Sequence, residues 1–216
     1  QTYNDGVHLF APITLTTTDS DVTFGGTIDS DEGQTRHLTI DTNGTTGTIQ
    51  FGGLVGNTVA LGAIGITGNL DLNAAITNAT SISVSGTSNL GANVTTSGNQ
   101  TYTGAVTLSG GTRALQGSTV NFVSTLAGGS NALTITGILD LDGAATGLTT
   151  LLVSDTSNLG ANVTTTSTQT YQGAVTITGN RTLTTTNSNV DFDLTVNAAI
   201  LGDSLTLAAG SGDVTF

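Results

Sequence analysis

Cysteine, methionine, tryptophan and lysine do not occur in this chain of 216 residues. Without cysteine there is no disulfide framework, no thiolate metal site and no Cys nucleophile. The only strong bases are Arg36, Arg113 and Arg181, far apart in the sequence. Nothing can neutralise a run of phosphates, so nucleic acid is disfavoured as a partner, and anionic membrane surfaces are disfavoured for the same reason. Glu, Lys, Arg and Met, which favour helices, are nearly absent, and no segment reads as a helix. No apolar run approaches the roughly 18 residues of a membrane span, so no membrane insertion is expected. The opening "QTYNDGVHLF" lacks the basic and apolar regions of a signal peptide, and a targeting segment is expected outside this sequence.

What remains is apolar and small-polar. Apolar residues make up 36% of the chain and aromatics 4%, so the core must be filled by Val, Ile, Leu and Ala. Charged residues are 8%, against about 25% in an average soluble protein, and the net charge is −12. Thr, Ser, Asn and Asp must therefore carry solubility. A polar, Gly-rich, acidic chain also invites a disordered reading, but a mean hydropathy of +0.17 and many β-branched residues argue against it.

The chain repeats itself. Residues 87–110 align on 156–179 without a gap, with 18 identities in 24 positions, including "SNLGANVTT", "QTY" and "GAVT". "LTTTDSDVTF" at Leu15 returns as "LTTTNSNVDF" at Leu183, and "QTY" also opens the chain at Gln1. Offsets of 69 and 168 residues suggest a coil of 23 to 24 residues. Between Gly- and Asn-rich turn signals, "AVTL", "LTIT", "SISV" and "AVTI" alternate apolar and polar, the period of a strand with one dry face. The single proline, Pro12, suits a strand edge or a corner.

The pattern predicts an all-β fold, a parallel β-solenoid or β-helix of roughly nine coils. It forms a single segment over 1–216, with long repeats 87–155 and 156–216 and related coils in 1–86. Leu90, Val94, Val106 and Leu108 are expected inside. The closing "DVTF" continues as "GGTID" at its first occurrence, which suggests either a longer array or end-to-end stacking of copies.

Candidate chemistry is sparse. In "LDLDG", Asp140 and Asp142 fall on the outward parity, and two carboxylates so placed can share a Ca²⁺ or serve a polysaccharide lyase. The glycine-rich Ca²⁺-binding nonapeptide is missing, and solvated aspartates at strand edges are the default reading. His8 and His37 have no triad-like surroundings. Arg113 and Arg181 occupy matching places in their repeats, and a shared structural role such as pairing with an aspartate is expected. Tyr3, Tyr102 and Tyr171 leave two roles open, an exposed line that stacks on sugar rings or a packing and corner role. Threonine files at "LTTT" and "VTTT" raise ice binding, but they hold no fixed slot. No catalytic residue, cofactor or metal site is assigned, with Ca²⁺ the one weak candidate.

The phrases "QTYTGAVTL", "LTITGILDLDGA", "SNLGANVTT" and "DVTFGGTID" resemble the repeats of filamentous haemagglutinin-like bacterial exoproteins. The resemblance implies a right-handed parallel β-helix, secreted to the bacterial surface or extracellular space, serving as adhesin, matrix component or fibre. It implies a non-catalytic shaft whose partners are other copies of itself or adjoining repeats. A module binding glycans or a host surface is the alternative expectation, and a lyase or an ice-binding protein is less favoured.

Overall fold

The computed structural model describes residues 1–44 and 46–216. Among the described residues there are 28 strands and no helix. Pairing is parallel throughout and winds the chain into a three-sided coil. The first face is one sheet of 11 strands, from Thr2–Tyr3 through Ser88–Leu90 to Leu205–Ala208. The second and third faces share hydrogen bonds. The strands Ile76–Val84, Arg113–Phe122 and Leu133–Leu141 each run from the second face, through the corner, onto the third. Elsewhere the two faces carry separate short strands, such as Val94–Thr96 and Gln100–Tyr102.

Eleven coils replace the nine expected, and at about 4.8 Å per coil they give a rod on the order of 50 Å long. Coil length is not constant. Ser88 lies against Val106, eighteen residues on, whereas Thr23 lies against Gln50, twenty-seven residues on. The expected period of 23 to 24 fails because the repeating unit is one face of about six residues. "SNLGAN", "VTTSGN" and "QTYTGA" begin at Ser88, Val94 and Gln100 and fill the first, second and third faces in turn.

The long repeats are therefore out of phase with the turn. Ser88–Leu90 lies on the first face, but its copy Ser157–Leu159 lies on the third, stacked on Leu139–Leu141. Sixty-nine residues are eleven faces, or three turns and two thirds. Likewise Leu15 is on the third face and Leu183 on the first. The echo that starts at these two residues encodes a corner. Asp19 and Asn187 take positive φ, 48° and 52°. Asp21 Oδ1 accepts the Thr48 amide at 2.8 Å, and Asn189 Oδ1 accepts the Asp213 amide at 3.0 Å, one coil on. The hydroxyls of Thr17 and Thr185 donate to the carbonyls of Ser20 and Ser188. A shared phrase has become a shared hydrogen-bond pattern on two different faces.

Alternation fills the interior. Leu90, Val94, Val106 and Leu108 are buried as expected, in one continuous core of stacked apolar files. Corners need glycine where coils approach most closely. At Gly137 φ is +126°, and a Cβ would lie 1.8 Å from the Gly117 carbonyl oxygen of the preceding coil. At Gly33 φ is +75°, but nothing lies within 4 Å. Gly33→Ala should cost about 1–2 kcal/mol, the left-handed backbone penalty alone. Gly137→Ala adds a backbone collision and should cost more than about 3 kcal/mol, read from denaturant unfolding midpoints of the two variants.

Candidate functional site

The three Gln-Thr-Tyr phrases occupy one face each. Gln1–Tyr3 leads into the first face, Gln100–Tyr102 lies on the third and Gln169–Tyr171 on the second. In the two later copies alternation sends Gln and Tyr inward. Each phenol donates to Oε1 of the glutamine two residues earlier, at 2.9, 3.2 and 3.1 Å for Tyr3, Tyr102 and Tyr171. Each glutamine Nε2 then donates to a carbonyl fifteen or sixteen residues on: Thr16, Gln116 and Thr184, at 3.3, 2.7 and 2.8 Å. The rings stack on Phe24, Phe122 and Phe192 of the following coil, with centroids 5.0, 5.6 and 5.4 Å apart.

Tyr102 and Tyr171 are 0% exposed, and Tyr3 is half-buried in the first coil. They form no outward line for sugar rings, because they face the core from three different sides. Burial pushes the Tyr102 and Tyr171 phenols well above their ordinary value, so both stay protonated donors. The sequence signal for this unit was available: a glutamine of the same parity two residues before the tyrosine, and a phenylalanine 20 or 21 residues after it.

The carboxylates divide by surroundings. Asp140 is outward on Leu133–Leu141 and accepts Asn121 Nδ2 at 2.9 Å, while Asp142 follows in the corner. Burial, then the neighbouring Asp142 charge, holds the Asp140 carboxyl above its ordinary value. Ca²⁺ takes six to eight oxygens, and among the described residues no three His, Cys, Asp or Glu gather in a group suited to a metal. On the first face, Asp71 accepts Asn89 Nδ2 at 2.8 Å, Asn73 Nδ2 at 3.0 Å and Gln50 Nε2 at 3.1 Å. Burial acts to raise its pKa, but these three bonds prevail and hold it below the ordinary value. Asp71 was not singled out by sequence, because its neighbours follow only from coils of unequal length.

The arginines behave differently from the aspartate pairing expected of Arg113 and Arg181. Their Nε atoms donate to corner carbonyls, Gly111 and Thr178, which the turning chain brings close by. Arg36 does pair with a carboxylate, Asp31, at 2.7 Å. His37 Nδ1 accepts the Ala63 amide at 2.8 Å, and His8 is exposed on the second face beside Asp29.

Several concavities break the rod's outline. A hydroxyl-rich groove of about 430 Å³ follows the corner between the second and third faces, lined by Thr96, Ser97, Gln116, Ser118, Thr136, Ser154 and Asp155 with two glycines. A cleft of about 510 Å³ near the first coils is lined by His8, Phe10, Ser30, Asp31, Glu32, Thr58 and Val59. Asp29 is buried beneath that region and accepts the Thr58 and Val59 amides at 2.7 and 3.1 Å. The chain matches no family model, no curated protein and no solved structure.

Two outcomes test these assignments. Gln169→Leu strands the Tyr171 hydroxyl and should cost about 1–3 kcal/mol for the orphaned donor. Adding Tyr171→Phe should recover part of that loss, seen as a coupling energy in a double-mutant cycle. The aspartates should respond to pH with opposite sign. Asp71, depressed in the fold, contributes stability at neutral pH that is lost as pH falls through its folded pKa, below 3.8. Asp140, raised, carries a penalty that is absent below 3.8 and complete above its folded pKa. Asp71→Asn should therefore lower the thermal midpoint at pH 7 and Asp140→Asn raise it, with both differences shrinking at pH 3.

Proposed function

We propose that this chain is a non-catalytic structural shaft, part of a secreted bacterial surface fibre, adhesin or extracellular matrix filament that associates with copies of itself or with adjoining repeats. The observation that carries this reading is the direction of its polar bonds. Asp21, Asn93, Asn162 and Asn189 accept amides of the next coil, and Asp71 joins three side chains across two neighbouring coils. These side chains are engaged in holding coil on coil. A parallel ladder is also extensible, since a further coil from either source joins its edge by the same bonds. The repeat texture shared with haemagglutinin-like exoproteins supports export and a surface role.

A second reading has its own observation. The hydroxyl-rich groove runs across four coils and carries a single carboxylate, Asp155, which suits a neutral glycan chain better than an acidic one. Tyrosine stacking plays no part in it.

Electron microscopy of the concentrated chain should show rods in multiples of about 50 Å, and a glycan array should stay blank if the shaft reading alone applies. Turnover of a polysaccharide, or compact particles at every concentration, would sink the shaft reading. Glycan binding abolished by Ser118→Trp in the groove would establish the second.

A further inference from the structure

The corner between the second and third faces carries no side chain in two successive coils. A Cβ at Gly117 would lie 2.7 Å from the Gly98 carbonyl oxygen, and one at Gly137 would lie 1.8 Å from that of Gly117. The coils approach too closely there for anything but glycine, and polar residues on either side wall the resulting groove of about 430 Å³. Four consecutive coils contribute, those of Val94, Leu115, Ile135 and Val153, each paired with the next. Each sets one exposed hydroxyl in the lining: Ser97, Ser118, Thr136 and Ser154. At about 4.8 Å per coil the first and fourth rungs lie about 14 Å apart along the rod axis.

The bonds already made decide what each rung offers. Ser118 donates its proton to the Ser97 carbonyl at 3.0 Å, so its oxygen is left to accept. Ser154 Oγ accepts the Gly137 amide at 3.2 Å and keeps its proton to donate. The Gln116 amide and the Thr136 hydroxyl make no side-chain hydrogen bond among the described residues and offer both functions. A ligand for this row must donate and accept at intervals that match the coils. An extended peptide rises about 3.3 Å per residue and falls out of step. A pyranose with its glycosidic oxygen is about as long as the coil spacing of about 4.8 Å, and each of its hydroxyls both donates and accepts. The one carboxylate in the lining, Asp155, already accepts the Thr156 amide at 2.7 Å. A net charge of −12 repels an acidic polysaccharide.

We propose that the groove binds a linear, neutral, extended polysaccharide such as a β-1,4-linked hexose chain, lying parallel to the rod axis with one sugar to each coil. This rests on the groove reading given above and adds to it a ligand class and a direction. No aromatic ring lines the groove, so each sugar is held by hydrogen bonds that replace bonds to water. Each rung is weak, and affinity comes from the number of rungs engaged.

Titration of the full chain with cello-oligosaccharides of two to six sugars, followed by amide chemical shifts, tests the alignment. Affinity should rise about fivefold for each sugar added, the effect of one neutral hydrogen bond, up to four sugars and then level off. Thr136→Val replaces an exposed hydroxyl by a methyl and should weaken tetraose binding about fivefold, with an unchanged circular dichroism spectrum. Maltotetraose, the same sugars in a curved chain, should bind at least tenfold more weakly. Binding that Ser118→Trp blocks, but that is equally strong from two sugars to six or equal for maltotetraose, overturns the axial alignment and leaves the groove reading standing. No shift with any oligosaccharide, or shifts indifferent to Ser118→Trp, overturn both.

Discussion

Everything in this molecule depends on each coil's backbone hydrogen bonding, in parallel and in register, to the coil before it. That ladder fixes a spacing near 4.8 Å and so decides which side chain lies over which. Inside, it turns alternating sequences into files such as Ile66, Val84, Tyr102, Phe122 and Leu141. Outside, it makes a polar residue answerable to its two file neighbours more than to residues beside it in sequence. A coil has no core of its own, and its buried surface exists only because another coil covers it.

A core with no helix and few aromatics still has to satisfy the polar groups it buries. The glutamine and tyrosine of the recurring phrase do so as a unit, the phenol bonding to the amide oxygen and the amide nitrogen to a carbonyl almost one turn away. Both partners are fully buried in the two central copies. A bonded pair of this kind is tolerated in a dry interior, where an isolated hydroxyl costs about 1–3 kcal/mol. It also binds faces together, since the accepting carbonyl lies at the end of the preceding face. The inward Ser88 and Ser157 are a contrast. Their Oγ atoms are buried without a partner between apolar neighbours, and nothing in the structure explains them.

Fold class was legible from sequence because alternation and glycine corners are local signals. Coil length was not, because offsets between copies measure whole turns only when copies fall on the same face. Ser88 and Ser157 do not, whereas Val190 and Val214 do, twenty-four residues and one turn apart. The six-residue spacing of Ser88, Val94 and Gln100 held the correct unit. Tyr102 was ambiguous because a tyrosine suits either side of a strand, and only Gln100 on the same parity and Phe122 one coil on decide it. The bonds around Asp71 and the Phe10 cleft depend on which coils are long, and no local pattern states that.

The same ladder explains why the repeats are imperfect. Two carboxylates in one file would stand about 4.8 Å apart, a repulsion of nearly 1 kcal/mol even in water and more at a partly buried site. Fifteen acidic side chains against three arginines make that a constant hazard. Among the described residues, each of the five aspartates that take part in strand pairing avoids it. Asp71 lies between Gln50 and Asn89, Asp140 between Asn121 and Asn158, Asp191 between Thr170 and Thr215, and Asp41 between Thr16 and Thr67, while Asp29 pairs with His8. Several of these neighbours also donate to the carboxylate, Asn89 to Asp71 at 2.8 Å and Thr215 to Asp191 at 2.7 Å. A perfect repeat with a whole-turn period would set aspartate over aspartate along the rod. Divergence between neighbouring coils at outward positions, where Asn, Gln or Thr lies beside Asp71, Asp140, Asp191 and Asp41, keeps the apolar files intact while separating like charges, so this irregularity favours the rod's stability.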